Sequence, residues 1–141
     1  MFTFFELIFN SIQSLALLFA RLLVAYGFYE PAKNKLMDIE GTTNFFTSIN
    51  IPMPEISAYL AAGTEIVGVL LLTFGLFTRL ISIPLLFVMG VAIFVVHFDA
   101  GFSAAANGFE IPLYYASFLM IFLSFGSGKF SLDYLLFQKN R

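Results

Sequence analysis

Four apolar runs, each close to the length of a helix that crosses a bilayer, dominate this chain and leave it few ways to fold. A crossing helix needs about 20 predominantly apolar residues, and runs of that kind lie at about residues 11–30, 58–76, 80–97 and 109–126. They use most of the 141 residues, so no soluble domain fits beside them. Composition agrees, with 60% of residues hydrophobic and 11% charged, against roughly half and a quarter in soluble domains. The expected fold is all-α: an integral membrane four-helix bundle forming one domain over residues 1–141. The opening MFTFFELIFN lacks the basic cluster of a signal peptide, and Arg21 interrupts the next run, which reads as an uncleaved membrane helix.

Turn signals set the connections. The long first one, residues 31–57, opens at Pro31 and ends on INIPMPE, whose two prolines disfavour helix and favour an extended approach to the second span. Within it GTTNFFTSIN offers a threonine cap after Gly41, then Phe45, Phe46 and Ile49 at helical spacing, which predicts a short interfacial helix. GLFTR permits only a tight turn, so spans two and three form an antiparallel hairpin, and FDAGFSAAANG makes a compact loop before span four. FSLDYLLFQKNR reads as an amphipathic C-terminal tail with Leu132, Leu135 and Leu136 toward lipid and Lys139 and Arg141 toward water. With an even number of spans both termini share a side. Arg79, Lys129, Lys139 and Arg141 on that side outnumber Lys33 and Lys35 on the other, which predicts cytoplasmic termini, with Tyr29, Tyr59, Tyr114 and Tyr115 as a belt at the outer ends.

Ionisable residues inside such runs constrain the interior. Arg21 lies nine residues below the outer end of span one and Glu65 seven below the outer start of span two, so counting inward puts them at one depth. His97 closes span three, and Glu110 opens span four, on that same side. A charge facing lipid costs about 2.5–3.5 kcal/mol on insertion scales, so each should point inward, and Arg21 with Glu65 is the expected pair. Ala61, Glu65 and Gly68 share a face on which small residues admit a neighbouring helix. The pair serves either as a structural tie that fixes helix order or as part of a site. His97 serves as a ligand group or as a hydrogen-bonded helix end, and Glu110 as a ligand group or as a first-turn carboxylate favoured by the helix dipole.

Several chemistries drop out. The chain has no cysteine, which removes disulfides, thiolate nucleophiles, Cys-ligated zinc and Cys-held iron–sulfur clusters. One histidine cannot ligate a haem from both sides. A metal would need His97 with Glu65 and Glu110 or Asp99, for which no motif exists, and no metal is expected. No phosphate-cradling glycine motif occurs, and GSGK at 126–129 lacks the nucleotide-binding spacing. Seven scattered basic residues and a net charge of -2 give no footprint for nucleic acid.

The polar positions resemble the DoxX family of small four-span membrane proteins. Arg21 followed by Lys35 is similar to the family's first-helix arginine and the lysine that ends that helix. EIVGVLLLTFGLFTR, from Glu65 to Arg79, resembles its glutamate, its glycines at Gly68 and Gly75, and its closing arginine. IPMP at 51–54, His97, NGFE ending in Glu110, and GSGKFSLD at 126–133 match in order. The His-Gly that often precedes the family's lysine reads Pro31-Ala32 here, and Ile51 stands where a glycine precedes the proline pair. The resemblance implies a membrane component of a bacterial or archaeal redox system, with relatives linked to thiosulfate:quinone oxidation, quinone or catechol detoxification, and complexes with superoxide-handling enzymes.

Three functions fit these residues. In the first, Arg21, Lys35, Glu65, His97 and Glu110 line an outward-facing pocket of a quinone-linked oxidoreductase subunit in the prokaryotic cytoplasmic (inner) membrane, with a non-covalently held quinone and a soluble or membrane redox partner. The second is a non-catalytic scaffold for soluble redox enzymes, and the third, ranked last, a small transporter. Small-residue faces also suit a homo-oligomer.

Overall fold

The computed structural model describes residues 2–138, and all regular structure among them is helical. Helix α1, Phe2–Met37, has 36 residues, about 54 Å at 1.5 Å per residue. It runs straight through Pro31, so the expected break there is corrected. A proline removes one helical N–H, and neighbouring helices can compensate for that loss in an apolar setting.

Helix α2, Ile39–Ser48, fills the first connection. Its cap is Asp38, whose Oδ1 accepts the Gly41 N–H at 2.9 Å. The expected threonine cap is therefore also corrected: the helix starts earlier, and Thr42 and Thr43 turn their hydroxyls back to the carbonyls of Asp38 and Ile39. Gly41 is required at this turn because a Cβ would lie 2.2 Å from Asp38 Oδ2.

Helix α3, Pro54–Phe74, starts on a proline in its first turn and stops at Gly75, whose φ of 66° closes the end. Helix α4, Thr78–Val91, is prolonged by a π turn, Ala92–His97, and a 3₁₀ turn, Phe98–Ala100. Helix α5, Glu110–Phe125, is shorter, with 16 residues. Three stretches are long and apolar enough to cross a membrane, Thr3–Met37, Pro54–Phe74 and Thr78–Ala100, and α5 is a shorter apolar helix.

Helix α1 lies along α3, α3 along α4 and α4 along α5, while α5 returns to α1 and α2 folds against α3. The core between them holds Leu17, Val24, Phe28, Leu72, Leu85, Leu119 and Phe122. Large apolar side chains such as Phe19, Leu80, Phe87 and Met120 point outward, where lipid tails solvate them. Because lipid is as apolar as leucine, helix association in such a fold depends on close approach. Two glycines mark where that approach is tightest: a Cβ on Gly68 would come 2.8 Å from Leu85, and one on Gly27 would come 1.9 Å from the Tyr115 hydroxyl.

The end of the molecule opposite α2 is closed by residues 126–133. Asp133 accepts the Phe77 N–H at 2.7 Å and the Thr78 N–H at 3.1 Å, capping α4, and its own N–H donates to the Gly75 carbonyl. The apolar side of the expected tail is present in the exposed Leu132, Leu135, Leu136 and Phe137, while Lys139 and Arg141 lie outside the described residues.

Candidate functional site

A cavity of about 800 Å³ opens at the α2 end, walled by α1, α3, α4 and α5 with Phe45, Phe46 and Pro52 over its rim. Its walls are mainly apolar, and its charged groups are Lys35 and Glu65. Lys35 Nζ donates to both carboxylate oxygens of Glu65, at 2.8 and 3.0 Å. The lysine side chain keeps 24% of its surface accessible and the glutamate 3%, so the carboxylate is held inside and the ammonium faces the cavity.

An ammonium carries three donors, and two are used on Glu65, leaving one for a ligand. The pair is electrically balanced, so the cavity suits a neutral molecule with oxygen acceptors better than an ion. His97 lines the same cavity. Its Nδ1 lies 2.8 Å from the Asn107 carbonyl, and because a carbonyl only accepts, Nδ1 carries a proton, which leaves Nε2 to meet a ligand. The π turn Ala92–His97 sets the direction of this ring; such widened turns often occur at functional sites. Tyr115 adds its hydroxyl to the wall, its ring stacked on Phe28 at 5.3 Å.

Lys35, Glu65 and His97 are thus brought together as a lining, and Arg21 and Glu110 are not among it. The expected Arg21–Glu65 pair is corrected: the one ion pair among the described residues is Lys35–Glu65. Arg21 is 1% exposed and donates from Nη2 to the Phe130 carbonyl at 2.8 Å, against the closing loop at the far end. Arg21 and Lys35 are fourteen residues apart on α1, about 21 Å, and both lie on the face that meets α3. The depth count failed because α1 ends at Met37, beyond Pro31, which slides Arg21 down and puts Lys35 opposite Glu65.

Arg21 Nε and Nη1 have no hydrogen-bond partner. They sit against Gly75, where a Cβ would fall 1.5 Å from Nη1. Glu110 holds its own loop, accepting the Ala104 N–H at 2.8 Å and the Tyr114 hydroxyl at 2.9 Å. These bonds brace the segment that presents Asn107 to His97. No group of three His, Asp or Glu able to hold a metal ion occurs among the described residues.

Sequence reasoning missed Tyr115 and Asn107 as parts of the lining. The one signal for Tyr115 was Gly27, a gap in α1 facing an aromatic. Nothing in the sequence marked the Asn107 carbonyl, which depends on a left-handed residue at φ 61° in the loop.

A family model described as DoxX matches residues 16–98. An uncharacterized protein of Haemophilus influenzae is 32% identical, over 88% of this chain and 85% of its own. The inner membrane protein YphA of Escherichia coli is 28% identical, over 89% of this chain and 93% of its own. A Bacillus subtilis protein named "Putative oxidoreductase CatD" is 31% identical, over 70% of this chain and 72% of its own. No solved structure matches.

Proposed function

The chain belongs to the DoxX family, and we propose that it is a membrane component of a quinone-linked redox system that holds a quinone, or a similar small neutral amphiphile, in the cavity at its α2 end. The observation that carries this reading is the combination of an apolar cavity of about 800 Å³ with the Lys35–Glu65 pair and the His97 ring in its wall. That volume falls within the roughly 300–1,000 Å³ of small-molecule sites, which are mostly apolar with a few placed polar groups.

The integral membrane setting follows from the long apolar helices and is shared with the E. coli relative. In this proposal α1, α3, α4 and α5 all cross the bilayer as one bundle, α2 lies in the outer interface, and both termini are cytoplasmic. The basic residues Arg79 and Lys129 near the closed end support that orientation.

The remaining Lys35 donor bonds a quinone carbonyl, and Glu65 or His97 Nε2 accepts from a quinol hydroxyl. Reduction of a quinone takes up two electrons and two protons; the electrons come from a redox partner protein, and the carboxylate and imidazole exchange the protons. The name of the B. subtilis relative supports redox work in the family.

Glu65→Gln tests the reading. The amide keeps the shape and removes the charge, so affinity for a soluble quinol, whose hydroxyl Glu65 accepts, measured by calorimetry in detergent under reducing conditions, should fall about tenfold or more, in line with the 1.5–3 kcal/mol of a hydrogen bond to a charged group. Unchanged affinity in a folded variant would refute the quinone site and leave the scaffold function standing.

A further inference from the structure

We infer that the groove between α3 and α4 is a lateral doorway through which the apolar tail of the bound amphiphile passes from the cavity into the bilayer; this rests on the amphiphile site proposed above. A shallow hollow of about 290 Å³ lies on the outer surface of these two helices, along Tyr59, Gly63, Val67 and Ile81. It shares Leu60, Thr64 and Pro84 with the wall of the main cavity, so the two spaces are separated by those side chains alone.

The sequence explains why the wall is thin there. On α3, Leu60, Thr64 and Val67 follow one another at i, i+4 and i+7, one helical step round from Ala61, Glu65 and Gly68. The ion pair and the groove are therefore neighbouring faces of the same two turns. Nearer the closed end α3 and α4 are in contact, because Gly68 receives Leu85 so closely that a Cβ would lie 2.8 Å from it. Five residues toward the α2 end, on a face about 140° round the helix, nothing lies within 4 Å of a Cβ built on Gly63. Gly63 thus leaves the groove open on the α3 side, and Ile81 and Pro84 form its α4 side. Glycine in a helix interior costs about 1 kcal/mol relative to alanine, and Gly63 has no packing contact that accounts for it; the space it leaves does.

The groove faces what would be lipid, since Tyr59, Leu60 and Val67 along it are all exposed. From Tyr59 to Val67 it runs about 12 Å along α3, at the level of Glu65. A head group bonded to Lys35 and Glu65 therefore has its chain aimed sideways into hydrocarbon, with no need to thread the water-facing rim.

Gly63→Leu tests this with two probes, a decyl-substituted benzoquinone and its methyl-substituted counterpart. The added side chain has room to fold and fills the groove. Affinity for the decyl compound should drop about tenfold or more, equivalent to losing the burial of about two methylenes, while the methyl compound binds unchanged. Gly90→Leu, at another glycine with open space around its Cβ, should alter neither. Equal effects on both probes, or none, would overturn the doorway; failure of the unaltered protein to bind either ring would overturn the amphiphile site itself.

A second readout does not depend on the leucine being tolerated. The chain contains no tryptophan, so Val67→Trp and Phe19→Trp each provide a sole reporter. A benzoquinone with a brominated decyl chain should quench the reporter at 67 more strongly than the one at 19. Equal quenching would overturn the doorway.

Discussion

The Lys35–Glu65 contact makes a sharp quantitative test of how this interior is held. At 2.8 Å and an effective dielectric near 20, Coulomb's law gives roughly 6 kcal/mol of gross attraction, most of which the desolvation of both ions cancels. Removing one partner is different, because the other stays buried without compensation, at a cost of about 3–5 kcal/mol. Here Lys35 retains 24% side-chain accessibility while Glu65 retains 3%, so Lys35→Met, which strands the more deeply buried partner, should sit near the upper figure, about 5 kcal/mol. The double variant Lys35→Met with Glu65→Leu removes both charges and should return to within about 1 kcal/mol of the parent. Unfolding in mixed micelles by sodium dodecyl sulfate, followed by circular dichroism, measures each corner of the cycle. The same cycle for Arg21→Met with Glu65→Leu should be additive within about 0.5 kcal/mol, as expected for sites far apart. Additivity between residues 35 and 65, or coupling between 21 and 65, would refute the assignment of partners.

Two further substitutions probe the closed end. Gly75→Ala combines a φ of 66° with a Cβ placed 1.5 Å from Arg21 Nη1, and should cost more than about 3 kcal/mol in the same unfolding assay; Gly101→Ala, at φ 80° and ψ -159° with open space around it, should cost only its backbone strain, about 1–3 kcal/mol. Asp133→Ala uncaps α4 by freeing the Phe77 and Thr78 N–H groups. It should cost about 1–2 kcal/mol and speed hydrogen exchange at those amides, leaving the amides of α5 unaffected.

The helices were legible because apolar run length is a direct consequence of bilayer thickness, and because Gly75 and the NG at 107–108 end or begin elements by their backbone freedom. Pro31 misled for a physical reason. Proline forfeits one helical bond, yet Pro31 is exposed at the cavity while its neighbour Ala32 is buried and Lys35 is bonded to Glu65, and these contacts hold the helix on to Met37. That single misplacement moved the end of α1 and with it the partner of Glu65. Lys35 was named as a site residue only through family likeness, since a lysine beyond a proline looks like a solvated loop cation. An outward-facing pocket was expected, but the extent and apolar walls of the cavity were not legible, because they come from helices whose close approach depends on individual small residues such as Gly27 and Gly68.

The bond from Arg21 to the Phe130 carbonyl spans 109 residues of sequence, and this sets an order of events during biosynthesis. The first helix leaves the ribosome bearing a guanidinium whose acceptor has yet to be translated. Until residue 130 has emerged, that group must be hydrated within the translocon or held by a lipid phosphate. Sealing of the end opposite α2 therefore cannot precede synthesis of Phe130, and a nascent chain halted before that residue would lack the clasp that ties the first helix to the loop after α5.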